Sequence, residues 1–253
     1  MSRRGRLIAI EGRSAAGKTT LVRAAVEEFD WQPLWEAFDR LDPTPSLEYA
    51  SPHELLLLER SLIAEEVRRY REARGLCAQG RTVLADTGFL GPLTYTRGLV
   101  ALARAPGSVG RAIERSTRSL VRRGALGIPD LTVYLETTAR ERARHARADS
   151  ARHPVGLIPR HEAVGAVEER YFDELFPTAL PDRFRILRAR SGPPGPVATL
   201  RALVADADPT PASRTEGLAL LSLLRLPPRG KRRTEVGPNR YEARPASPAP
   251  LGR

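Results

Sequence analysis

Among its 253 residues the sequence has one cysteine, Cys77, one methionine and only two lysines, Lys18 and Lys231. A single cysteine excludes an internal disulfide and every zinc pattern built on several thiolates, and it suits a reducing compartment. No stretch approaches the roughly eighteen consecutive apolar residues of a membrane span. The basic start, Met1 to Arg6, leads into only LIAI before Glu11, too short for the apolar segment of a secretory signal. The protein is therefore expected in the cytoplasm. His145, His153 and His161 recur at a spacing that does not align helix faces, and no carboxylate cluster completes a metal site around them. A G-x-S-x-G hydrolase signature is also lacking.

What is present describes a soluble globular chain: hydrophobic residues are 41% and charged residues 28%. These ordinary values exclude a collagen, a wholly disordered chain or a disulfide miniprotein. The formal charge is +11 and the pI near 10.8, which invites a nucleic-acid reading. Nearly all the cations are arginine, however, and alanine, glycine and proline are plentiful, as GC-rich coding produces. Total charge is therefore not read as a footprint of nucleic acid. Lys18 is the exception that asks for a reason.

Short apolar runs mark buried parallel strands at Arg6–Gly12, Trp31–Phe38, Arg81–Asp86, Pro129–Glu136 and Arg183–Ala189, the first ending in glycine and the third in an acid. Helical patterns lie between them: LVRAAVEEF, a long helix over His53–Gln79, helices near Leu90–Ala103 and Ser108–Arg123, His161–Leu175 and Pro196–Ala205. Strands alternating with helices imply an α/β fold, a parallel sheet covered on both faces in three αβα layers. Residues 1–205 form this domain. Residues 206–253 hold eight of the 22 prolines and read as a Pro/Arg-rich flexible tail, although GLALLSLLRL within it is apolar enough for a short docked helix.

Gly12-Arg13-Ser14-Ala15-Ala16-Gly17-Lys18-Thr19 matches G-x-x-x-x-G-K-[ST] in full and is followed by Thr20. Glycines let such a loop turn its backbone N–H groups inward onto phosphate oxygens, and the next helix adds its positive end. A compact ammonium at Lys18 reaches the β- and γ-phosphates, and the Thr19 hydroxyl ligates Mg²⁺. A guanidinium fork would not fit, which is why this arginine-rich chain keeps lysine here. The site implies a nucleoside triphosphate, ATP, with Mg²⁺.

Glu36 and Asp86 stand at strand ends that a parallel sheet brings to the same edge as the loop. Either can orient an attacking hydroxyl, and Asp86 can also hold Mg²⁺. After the fourth strand come Arg140, Arg142, Arg144, Arg147, Arg152 and Arg160, an arginine-rich lid near 138–160. Arginines on a closing segment can neutralise a transferring phosphoryl group, and Arg144 and Arg147 share a helix face.

Taken together, LIAIEGxxxAGKTTL, ELLLLER, the strand ending in Asp86 with Tyr95 beyond it, and PDLTVYL resemble thymidylate kinase and its deoxynucleoside-kinase relatives over residues 6–204. The resemblance implies a P-loop NTPase fold with a five-stranded parallel sheet of order 2-3-1-4-5, ATP at the loop and a mobile lid. It further implies that Glu36, Arg60 and Tyr95 touch the acceptor and that Asp86 is the acid of an Asp-Arg motif. Thr87 stands where that motif has arginine, Trp35-Glu36-Ala37-Phe38 reduces an Arg-Glu-Pro-Gly segment, and Thr96 replaces a base-reading glutamine.

The expected activity is ATP-dependent phosphoryl transfer to a nucleoside monophosphate or nucleoside. The alternatives are a kinase for a non-nucleotide small molecule and an NTPase that regulates or binds a partner. Expected partners are the triphosphate donor and a small acceptor, with a homodimer admitted and neither membrane nor nucleic acid expected.

Overall fold

The computed structural model describes residues 5–44, 49–148, 158–172, 176–188, 195–207 and 210–224. Its centre is β1 (Leu7–Glu11), an unbroken apolar run until its final acid. Parallel partners flank it on both edges: β3 (Val83–Asp86) and β4 (Leu131–Glu136). Outside these lie β2 (Gln32–Leu34) and β5 (Phe184–Arg188), giving the order β2-β3-β1-β4-β5, all parallel. This is the order the resemblance implies.

Side-chain alternation divides the core between the two faces. Ile8, Ile10, Val133 and Leu135 pack with α1 (Lys18–Phe29) and α8 (Pro196–Ala207) through Leu21, Val22, Leu200 and Val204. Leu7, Ala9, Val83 and Tyr134 face the opposite cluster. That cluster is built on α2 (Pro52–Ala78), α3 (Gly91–Ala101), α4 (Gly107–Arg122) and α6 (Ile158–Arg170). Between β4 and α6 lies α5 (Ala139–Ala148), and α7 (Phe176–Ala179) is a single turn before β5.

Two polar groups fix how these layers meet. Asp130, 1% exposed, accepts from the Leu7 and Ala212 amides at 2.9 Å each and from Arg74 Nη1 at 2.8 Å. One carboxylate thus joins the start of β1, the last third of α2 and the C-terminal segment. Arg69, fully buried, pairs with Glu66 and donates to the carbonyls of Leu34, Asp86 and Thr87. Its fork gathers the ends of β2 and β3, where strand pairing has stopped and backbone carbonyls need donors.

Two expected boundaries move. β2 stops at Leu34, and the chain then turns through a short 3₁₀ segment, Phe38–Arg40, leaving Glu36 on the connecting loop. At the other end, position 205 falls inside α8, and a further helix, α9 (Arg214–Leu223), packs on α4 with Leu220, Leu221 and Leu224 buried. A capping box starts α9: Ser213 Oγ accepts from the Glu216 amide, and Glu216 accepts from the Ser213 amide. The apolar island of the C-terminal stretch is therefore part of the core. Residues 225–253 lie outside the described residues. No described helix is long and apolar enough to cross a membrane.

Candidate active site

The loop between β1 and α1 takes the shape its glycines permit. Gly17 has φ 93°, and Gly12 has φ 151° and no room for a side chain, since the Leu135 carbonyl lies 2.9 Å from where a Cβ would sit. No side chain caps α1, so its first-turn amides are left to a ligand. Lys18 Nζ donates to the carbonyls of Gly12 and Arg13 at 3.0 and 3.2 Å, holding the ammonium along the loop. The Thr19 hydroxyl donates to Asp86 Oδ2 at 2.5 Å. Asp86 is 1% exposed, and its second oxygen, Oδ1, has no hydrogen-bond partner among the described residues. A buried carboxylate with a spare oxygen beside a threonine hydroxyl fits Mg²⁺, which takes one or two protein oxygens and leaves the rest to phosphates and water.

All of Gly12 to Thr20 opens on a cleft of about 770 Å³. Leu135, Ala24, Pro196 and Val197 give the wall beside the loop an apolar lining. The far wall is supplied by Glu36 and Phe38, by Glu59 and Glu66 of α2, by Tyr95 of α3 and by Arg160, Glu168 and Phe172. Arg160 lies 4.5 Å over the Tyr49 ring and donates to the Tyr95 hydroxyl from both Nε and Nη2.

α5 and α6 are joined to the loop by polar contacts. Arg13 reaches out of the loop to Glu162 at 2.7 Å and Glu169 at 3.3 Å, and Arg142 of α5 pairs with the same Glu162 at 3.0 Å. His145 Nδ1 lies 2.9 Å from the Ala15 carbonyl. One acid of α6 thus holds both the phosphate loop and α5.

Of the residues singled out from sequence, Lys18, Thr19, Glu36 and Tyr95 share the cleft, with Asp86 directly behind Thr19. Three arginines do not. Arg60 is exposed on α2, because its predecessor Glu59 occupies the inward stripe with Leu55 and Ile63 and the next position turns away by about 100°. Arg144 and Arg147 do share a face of α5, but it is the outer one: Arg142 and Ala146 are buried, and His145 and Ala148 line the cleft. Arg152 lies outside the described residues. Thr87, in the position of the missing arginine, lines the cleft with φ 70°, an unusual conformation for a β-branched residue. Thr96 is buried and is not part of the lining.

Sequence reasoning missed the carboxylates. Burial pushes Glu11, Glu66 and Glu168 from the ordinary 4.5 up to about 7, against a hydrogen bond from Gly88 to Glu11, the Arg69 pairing of Glu66 and the Thr94 hydroxyl on Glu168. Burial, then the charge of Glu168, raises Glu59 as well. A carboxyl whose folded value is raised favours folding as the neutral acid. That contribution is complete below 4.5 and is lost as pH rises through about 7. Glu216, lowered to about 2 by Arg183, acts in the opposite sense, but its contribution is already complete above 4.5. The melting temperature of the ligand-free protein should therefore be several degrees higher at pH 5 than at pH 8 by scanning calorimetry. A rise over that interval would contradict the assignment.

No protein-family model matches the chain, and no curated protein matches it in sequence. Solved structures do match in shape. A deoxyadenosine kinase from M. mycoides with bound dATP superposes with a TM-score of 0.60 at 12% identity, over 79% of this chain and 99% of that one. The same kinase with bound dCTP gives 0.52 at 14% identity, over 79% and 98%. A thymidylate kinase from Candida albicans gives 0.60 at 16% identity, over 82% and 94%. The chain shares the P-loop kinase fold of these deoxynucleoside and nucleotide kinases.

Proposed function

We propose that the protein is a phosphotransferase that moves the γ-phosphoryl group of ATP to a hydroxyl of a small acceptor of nucleoside size. One observation carries this reading: the phosphate loop and the carboxylate-lined wall with Glu36 open on a single cleft, so that donor and acceptor can meet there without water between them. The fold shared with deoxyadenosine and thymidylate kinases supports it.

The chain's own residues supply the chemistry. The first-turn amides of α1 and the backbone of Gly12 to Gly17 bind the phosphates. Lys18 turns its ammonium from the loop carbonyls to the β- and γ-oxygens, where charge concentrates as the phosphoryl group moves. Thr19 and Asp86 would hold Mg²⁺, which when bound offsets phosphate charge. Glu36 orients the acceptor hydroxyl and takes its proton, while Tyr95, fixed by Arg160, positions the body of the acceptor. His145 and Arg142 tie α5 against the loop and exclude water. Arg144 and Arg147 have no part in this scheme.

A phosphomonoester acceptor suits this wall poorly. Arg69 is buried and committed to carbonyls and Glu66, Arg60 is exposed, and Arg13 is held by Glu162 and Glu169. The test is ADP release from Mg·ATP against a panel of nucleosides, nucleoside monophosphates and hydroxylated small molecules. Release should rise at least tenfold with an accepted hydroxyl compound, and the phosphorylated product should appear by mass spectrometry. ADP release at one rate with every acceptor and with none would instead indicate an NTPase that drives a binding partner.

A further inference from the structure

We propose that the acceptor wall recognises a protonated amine, so that the molecule phosphorylated carries both a hydroxyl and a cationic nitrogen, as amino nucleosides and amino sugars do. This rests on the phosphotransferase reading and names its substrate class.

The charge distribution of the cleft is the first support. Glu11, Glu36, Glu59, Glu66 and Glu168 all contribute to its lining, whereas the cations lining it are Lys18 and Arg13 at the loop, Arg23 and, on the far wall, Arg160. Of these acids Glu66 is paired with Arg69. Glu11 accepts from the Gly88 amide at 2.8 Å and Glu168 from the Thr94 hydroxyl at 2.8 Å, both neutral donors, and the Lys18 ammonium acts on each only through space.

Glu59 is the second and more specific support. It is 1% exposed, it lines the cleft, and its Oε2 has no hydrogen-bond partner among the described residues. A buried carboxyl oxygen left without a donor is costly and calls for an explanation. Glu168 of α6 lines the same cleft, and its charge disfavours that of Glu59. Two acids lining one cleft, one with a spare oxygen, form a receptor for a group with several N–H donors and a positive charge. An ammonium supplies both.

The competing occupants fit less well. A phosphate would meet these carboxylates on a wall where Arg160, the one cation among the described residues, is already engaged by Tyr95 and Tyr49. A metal ion is disfavoured by geometry: among the described residues no three His, Cys, Asp or Glu side chains are grouped to hold one. A neutral nucleoside would offer Glu59 and Glu168 no positive charge.

The experiment is calorimetric titration of the full chain, with a non-hydrolysable Mg·ATP analogue present, using matched probes. These are 3′-amino-3′-deoxyadenosine, adenosine and dAMP in one arm, and glucosamine, glucose and N-acetylglucosamine in the other. At least one amine should bind about 30-fold more tightly than its amine-free counterpart, and Glu59→Gln should reduce that ratio to about threefold or less with the affinity for the ATP analogue unchanged. Glu168→Gln gives an independent reading should the first variant fail to fold. The arm that responds distinguishes an amino nucleoside from an amino sugar. Equal or tighter binding of the neutral or phosphorylated probes, no amine binding at millimolar concentration, or a ratio insensitive to both variants overturns the proposal. Amine binding without ATP-dependent phosphorylation would remove the phosphotransferase reading and leave this one standing. Phosphorylation of neutral acceptors in preference to amines would do the reverse.

Discussion

Lys18→Ala should lower acceptor phosphorylation by about a thousandfold or more while shifting the melting temperature by only a degree or two. The asymmetry follows from where the ammonium sits. In the ligand-free loop it makes two hydrogen bonds to carbonyls of its own turn, at 3.0 and 3.2 Å, and solvent can replace these at little cost. During transfer it faces oxygens that gain charge in a site closed to water, where each donor is worth several kcal/mol. Lys18→Arg should be nearly as damaging, because the planar fork is too wide for a loop of this curvature. Single-turnover measurement with radiolabelled ATP separates this loss from slow product release. Activity within tenfold of the parent would remove Lys18 from the reaction and the cleft from its assigned role.

The second large effect is on stability. A chain ending at Ala207 loses α9 and with it the burial of Leu220, Leu221 and Leu224. It also loses the Ala212 amide on Asp130 and the paired contacts of Arg183 with Glu216 at 2.5 and 3.0 Å. Burying a leucine contributes roughly 2 kcal/mol, so the truncation should cost about 5 kcal/mol or more, a large share of the stability of any domain this size. Urea unfolding should show an early midpoint or no cooperative transition. A chain ending at Leu224 should match the full-length midpoint closely. An unchanged midpoint for the shorter chain would show that α9 is dispensable to the core.

The architecture is legible because buried parallel strands are short apolar runs with sharp ends. LIAIEG, VLAD and LTVYLE announce themselves, and the phosphate loop between the first strand and helix is a dense local signature. Glu36 and Tyr95 are reachable by the same route, through strand ends and a resemblance. Charged residues on helices are not, because a one-residue step moves a side chain about 100° around the axis. Arg60 and Glu59 are adjacent letters with opposite fates. The stripe Leu55, Glu59, Ile63, Glu66 holds the missing clue: acids at core positions of a row that also carries leucine and isoleucine. The same clue marks Glu168, one turn beyond buried Val164. α9 is easily underweighted, since proline-rich flanks obscure a ten-residue apolar island with a capping box at its start. Arg144 and Arg147 share a face, but spacing alone cannot say which face turns inward.

The position of β1 has a consequence for how the protein is made. The strand synthesised first lies in the middle of the sheet, so both of its edges stay bare until segments translated some 75 and 120 residues later leave the ribosome. The Leu7 amide waits longer still for a complete acceptor, since Asp130 is secured by the Ala212 amide near the end of the described chain. Folding is thereby deferred toward the close of translation, and a nascent chain halted near residue 120 presents an apolar strand that chaperones of the tunnel exit would be expected to hold.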